Sequence, residues 1–156
     1  MKKRLFSFTC PHCGRSFYLS RDTYLIRDEK STEYQRLKDG TYFMHQCQGC
    51  HQLFPLEYSL VWRDPRSSLS LICTDRNPEG FEGNVVITRS SRQFLEAFSI
   101  LDLQLPLKET LALKRRLEKE YGTRLRIVDY DAQKSILWLD KEGDLIGIRS
   151  ILPKSS

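Results

Sequence analysis

The sequence lacks the patterns that usually mark a catalytic centre. It has no HExxH pair, no phosphate-binding glycine loop and no nucleophile elbow, so nothing visible supplies an enzymatic activity. No apolar run is long enough to cross a bilayer, and no membrane association is expected. The first ten residues are basic but carry neither an apolar stretch nor a small-residue cleavage site, so a cytoplasmic protein is expected rather than an exported one. The 156 residues hold no low-complexity tract and suit a single domain over 1–156. Acidic residues are missing from the start: residues 1–21 contain Lys2, Lys3, Arg4, Arg15 and Arg21 but neither Asp nor Glu. The formal charge of +5 therefore originates there, since the rest of the chain is balanced. Basic excess is one footprint of nucleic-acid binding.

What the sequence does have is ordered cysteine. Cys10-Pro11-His12-Cys13 and Cys47-Gln48-Gly49-Cys50 are two C-x2-C knuckles, the only internal repeat in the chain. Thiolates two residues apart can lie on one side of a tight turn whose amides point at the sulfurs. Two such turns brought together offer the four sulfurs of a structural zinc site. The metal ligands expected are thus Cys10, Cys13, Cys47 and Cys50, with Zn2+ as a structural cofactor and iron as the alternative metal. A closed four-cysteine site leaves no open position for substrate or water. Gly14, directly after the first knuckle, suits a positive φ. Cys73 lies in the strand-like alternation of residues 69–73 and reads as a small buried hydrophobe, not a ligand. His12, His45 and His51 all lie near the cysteines, and each reads as a supporting donor or surface group. Four thiolates and a divalent ion give the site a net −2, and Arg4 and Arg15 flank the first knuckle where they can offset it.

A redox reading competes with the metal. Cys-Pro-His-Cys also spells the active-site motif of oxidising thioredoxin-like proteins, where a helix starting at the motif lowers a thiol pKa. Here Gly14 and the β-prone residues 15–19 follow instead, and the second pair would have no role.

Along the chain, residues 5–9 and 15–19 read as strands around the first knuckle, with a polar connection over 22–30 that holds a possible strand at 24–26. Ser31 offers an N-cap to a short helix that stops at Asp39-Gly40. Residues 41–46 and 53–61 read as strands around the second knuckle. The 33 residues between the knuckles make the helix an insertion into a zinc ribbon. A turn over 64–68 leads to a strand at 69–73, then an irregular loop and a strand at 85–88. Ser91 is placed to cap a helix bearing Phe94, Leu95, Phe98 and Leu101. Pro106 opens a second helix that Gly122 ends, with Lys108, Arg115 and Lys119 on a solvated flank. Strands over 124–130, 135–140 and 145–151 close the chain, the last two joined by a hairpin turn at 141–144. The fold class expected is α+β: an elaborated zinc ribbon over 1–89, a helical segment over 90–122 and a β-meander over 123–156.

These residues resemble the CpXC family of bacterial and archaeal proteins, which takes its name from such knuckles. Beyond the cysteines, Leu37-Lys38-Asp39-Gly40 resembles the family's Leu-x-Asp-Gly stretch, Trp62-Arg63-Asp64 its Tyr-His-Asp segment, and residues 89–114 its helical half. The sequence departs from the pattern at Gln48 and His51, where proline and glycine are usual and neither change removes a ligand, and at Arg63, where a histidine is usual and any metal or catalytic role of that histidine is therefore absent. The resemblance implies a fold and a metal and assigns no activity.

Two functions follow. The first is a protein-interaction module, favoured by the balanced charge after residue 21 and by the two Trp, seven Tyr and eight Phe. The second is a nucleic-acid-binding ribbon, with Lys2, Lys3, Arg4, Arg15 and Arg21 on phosphates and Phe6, Phe8, Phe17 and Tyr18 as stacking groups.

Overall fold

The computed structural model describes residues 2–153. Over these described residues it is an α+β protein of three helices and ten strands, and its chain divides into two compact units, one running to Leu95 and one starting at Glu96.

The first unit opens with a long hairpin of β1 (Lys2–Thr9) and β2 (Ser16–Ile26), paired antiparallel from Lys3↔Asp22 to Thr9↔Ser16. The first knuckle is its tip. The possible strand at 24–26 does form, but as the end of β2 and not as a separate element in a connection: β2 runs on through residues 22 and 23, and Asp22 and Leu25 turn inward and are buried. Helix α1 (Thr32–Asp39) follows. The Ser31 hydroxyl accepts from the Tyr34 amide at 3.0 Å, and Gly40 ends the helix at φ 81°. Only β3 (Met44–Gln46) of the longer run expected there forms; residues 42 and 43 are instead buried in the core as Tyr42 and Phe43. β4 (Leu53–Pro55) pairs with β3 to make a second, short hairpin around the second knuckle. The strand expected over 53–61 breaks after Pro55, and β5 (Leu60–Asp64) begins a separate element.

β5 pairs parallel with the far end of β2, at Tyr24↔Val61 to Ile26↔Arg63. β6 (Leu69–Cys73) returns antiparallel, and β7 (Asn84–Thr88) adds parallel to β6, giving the order β1-β2-β5-β6-β7. β6 is buried along its whole length, as a central strand should be. The link from β6 to its parallel neighbour is irregular, and Arg89 holds it: its guanidinium donates to the carbonyls of Thr74 and Arg76 and to the Asn77 side chain. Helix α2 (Ser91–Leu101) begins in this unit. Ser91 does not cap it; Ser90 does, accepting from the Gln93 amide, while Ser91 gives both its amide and its hydroxyl to the Glu57 carboxylate. A carboxylate at a helix N-terminus is favoured by the exposed amides there.

The second unit carries α3 (Leu107–Tyr121), ended by Gly122 at φ 70°, and a meander of β8 (Arg126–Asp131), β9 (Ile136–Lys141) and β10 (Asp144–Arg149) in the order β10-β9-β8. Its core gathers Ile100, Leu105, Leu113, Leu117, Leu125, Ile127, Leu137 and Leu139. Lys114 is buried in α3, its ammonium 2.6 Å from Glu96 and 3.2 Å from Glu118. Burial pushes the Glu118 carboxyl up, but the Leu125 amide and Lys114 outweigh it, so the group titrates below the ordinary range. Among the described residues, no helix is long and apolar enough to cross a membrane.

Candidate metal centre

Each knuckle is the turn of a hairpin, and the two turns are built alike. In the first, the Cys10 amide donates to the Arg15 carbonyl, the Gly14 amide to the Cys10 carbonyl, and the His12 amide to the Cys10 sulfur at 3.4 Å. In the second, the Cys47 amide donates to Gln52, the His51 amide to Cys47, and the Gly49 amide to the Cys47 sulfur, again at 3.4 Å. The residue four after the leading cysteine takes a left-handed conformation in both, at φ 75° for Gly14 and 61° for His51. Glycine reaches that region without strain and histidine does not.

Gly49 therefore has a different use from the one a positive φ would give it. A Cβ placed there would lie 3.2 Å from Cδ and 3.5 Å from Nη1 of Arg15, and 3.6 Å from the Cys47 sulfur. The Arg15 side chain thus packs against the second knuckle at Gly49.

The two tips meet. Cys10 Sγ lies 3.7 Å from Cys50 Sγ, Cys13 Sγ lies 3.6 Å from Cys47 Sγ, and all four sulfurs are within 4.8 Å of one another. These separations are far too long for disulfides, which need about 2.05 Å. They match the edge of a sulfur tetrahedron around an ion bonded at about 2.3 Å, which is about 3.8 Å. The donor set fits a metal ion, with Cys10 and Cys47 buried and Cys13 exposed.

Electrostatics point the same way. The amides of Cys50 and Gly49 and the neighbouring sulfurs bring the Cys47 thiol down to about 6. At Cys50 the Gln52 amide acts downward, but burial and the other three sulfurs win and push it up to about 11. Four sulfurs this close cannot all ionise by themselves, and a divalent cation removes the conflict.

Cys73 stands apart in β6, buried, its thiol pushed up to about 11 by burial and by Glu57. Among the described residues the only metal-competent cluster is the one formed by the other four cysteines. No histidine serves the sulfurs through its ring. His45 stacks on Phe17 at 4.8 Å and meets Phe54 edge-on, while His12 and His51 are exposed. No helix starts at Cys10-Pro11-His12-Cys13; β2 follows it.

Several expected nucleic-acid contacts are occupied. Arg21 donates to the Tyr58 hydroxyl and the Tyr42 carbonyl, and lies over both rings. Phe6 and Phe8 pack on Tyr58, and Phe17 on Phe8 and Phe54. These rings join the two hairpins into one aromatic cluster beneath the sulfurs. Of the four expected stacking groups only Tyr18 projects freely, at 73% exposed. Comparison with models of protein families, with curated proteins and with solved structures finds no match to the chain.

Proposed function

We propose that Cys10, Cys13, Cys47 and Cys50 hold one structural zinc ion, as the CpXC resemblance implies, and that the clamped ribbon is a protein-interaction module. The observation that carries the metal is the set of sulfur separations, 3.6 and 3.7 Å between the two tips, with backbone amides already aimed at the leading cysteine of each. All four ligands come from the protein, so the ion would organise structure and leave no coordination position for chemistry. The interaction reading is supported by what the aromatic residues do. Phe6, Phe8, Phe17 and Arg21 are used inside the unit, which leaves the nucleic-acid alternative with Lys2, Lys3, Arg4, Arg15 and Tyr18.

Freshly purified protein should carry one zinc per chain by elemental analysis, with four sulfur neighbours at about 2.3 Å by X-ray absorption. Absence of metal would sink the site, and stoichiometric iron would reassign the ion. A labelled single-stranded oligonucleotide should not bind the zinc-loaded protein at micromolar concentration in physiological salt. Binding that falls steeply with salt would transfer the function to nucleic acid.

A further inference from the structure

We propose that the outer edge of β1 is the docking site for an extended, acidic segment of a partner protein, which adds to the sheet as a sixth strand. The inference rests on the protein-interaction reading and names the surface and the partner's chemistry.

β1 ends the five-stranded sheet, and among the described residues no strand lies beyond it. It is eight residues long, six of them exposed and the other two half-buried. One side of its backbone bonds to β2, so the other presents alternate amides and carbonyls to an incoming strand. The long hairpin is stiffened at its tip by the cysteine knuckle and at its flank by the packing of Phe6 and Phe8 on Tyr58. The edge is therefore preorganised, and docking does not first have to order it.

The side chains of β1 decide what may dock. Past the register shift at Lys2, Lys3 and Leu5 share one face, and Arg4 and Phe6 share the other. Leu5 is 64% exposed and Arg4 lies over the Phe6 ring. Phe6 and Arg4 also line a cleft of about 280 Å³ with Val61 of β5, Ile72 of β6 and Phe81. Each face of β1 thus reads basic and then apolar along the strand. A complementary antiparallel strand reads two apolar residues followed by two acidic ones.

Exposed basic residues on an edge strand usually keep copies of a protein from pairing with one another. Here the same charges also select. Residues 1–21 contain no acidic side chain, so a second β1 brings like charge to Lys3 and Arg4, whereas a carboxylate-bearing strand brings opposite charge. The partner is accordingly a different chain, not a second copy of this one.

The test titrates acetyl-Thr-Val-Val-Glu-Glu-Thr-amide into zinc-loaded, ¹⁵N-labelled full-length protein. Three further probes run beside it: the Lys-Lys counterpart, a version N-methylated at alternate residues, and oligo-dT. The acidic peptide should shift the amides of residues 3–8 saturably and bind at least tenfold more tightly than the lysine peptide. N-methylation, which removes main-chain donors but keeps every charge, should weaken it at least tenfold. The Lys3→Glu/Arg4→Glu double variant should reverse the preference between the two peptides. Its unchanged amide spectrum away from β1 would show that it still folds. No saturable shift at β1, or equal binding of the N-methylated peptide, overturns the edge while the broader interaction reading survives on another surface. Concentration-dependent association of the protein through β1 also overturns it. Tighter binding of oligo-dT at residues 3–8 overturns both readings together.

Discussion

The two knuckles of the centre reach one geometry from different residues. Both fold the same hydrogen-bonded loop, and both aim an amide at the leading sulfur over 3.4 Å. The first places Pro11, His12 and Gly14 where the second places Gln48, Gly49 and His51. Glycine thus stands at the left-handed position in one loop and at a closely approached position in the other. The first loop is relaxed in its backbone. The second holds His51 at φ 61°, and its own glycine makes room for Arg15, which is contributed by the first hairpin. A knuckle is defined by where its amides and sulfurs must point, and the sequence between the cysteines is free to vary as long as each strained position is compensated.

The largest expected effect removes what the loops share. Chelation, or Cys13→Ser in one loop and Cys50→Ser in the other, should abolish metal binding and lower stability by several kcal/mol, since metal affinity here is folding energy. Cys73→Ala is the control: metal content unchanged, with a loss of about 1 kcal/mol from the small cavity. Equilibrium unfolding with metal analysis reads both, and zinc loss in the Cys73 variant would overturn the ligand set.

Acidity should separate the sulfurs next. In metal-free protein the Cys47 thiol is lowered to about 6, so its stabilising effect is complete above the unfolded value of about 9 and fades as pH falls through 6. Cys50, raised to about 11, works in the opposite sense: its contribution is complete below about 9 and is lost as pH rises through 11. Urea unfolding of the metal-free protein should therefore show stability rising from pH 6 to 9 and falling beyond. The loaded protein should lack the fall, because the cation keeps all four sulfurs ionised, and should lose its metal on acidification as protons compete for them.

Exchanging residues between the loops should give smaller, opposite changes. His51→Gly should stabilise by about 1 kcal/mol by relieving the left-handed conformation, and Gly14→Ala should destabilise by a similar amount. A Cβ at Gly14 meets nothing within 4 Å, so that loss would be purely one of backbone conformation. Destabilisation by His51→Gly would show that the histidine ring has a use that outweighs its strain. Smallest of all, Gly49→Ala should stay within about 0.5 kcal/mol, because the flexible end of Arg15 can move aside. Metal retention in a competition with a chelator should nonetheless drop for Gly49→Ala and Arg15→Ala alike if the guanidinium offsets the charge of the sulfurs.

The clustering of the four cysteines was legible because C-x2-C spacing constrains geometry locally. The ends of α1 and α3 were legible for the same reason: Ser31 with Gly40, and Pro106 with Gly122, act within one turn of their own helices. What the sequence hid depends on distant partners. β2 runs through Arg21-Asp22-Thr23, a polar stretch that looks like a loop until Tyr42 and Tyr58 arrive to cover it. The parallel pairings β2–β5 and β6–β7 leave no mark on either strand alone. Glu57 reaches α2 from 34 residues away, and Lys114 is buried on a helix whose other cations face water, because Glu96 and Glu118 receive it. The positive φ of His51 was hidden by the residue type itself; only its likeness in position to Gly14 could have suggested it.

Arg89 has a consequence for how this protein meets proteases. The segment between β6 and β7 has no regular structure of its own, is largely exposed, and includes Arg76, a ready tryptic site. Its carbonyls at residues 74 and 76 are held by a single guanidinium rooted just past β7. Cleavage needs a bond drawn out into an extended conformation, so the segment resists only while Arg89 stays engaged. The strand that Arg89 follows is the one the segment delivers to the sheet. Resistance to nicking there is thus a direct reading of whether β7 is in place, and a single cut would leave β7 with no covalent link to β6, held beside it by hydrogen bonds and packing.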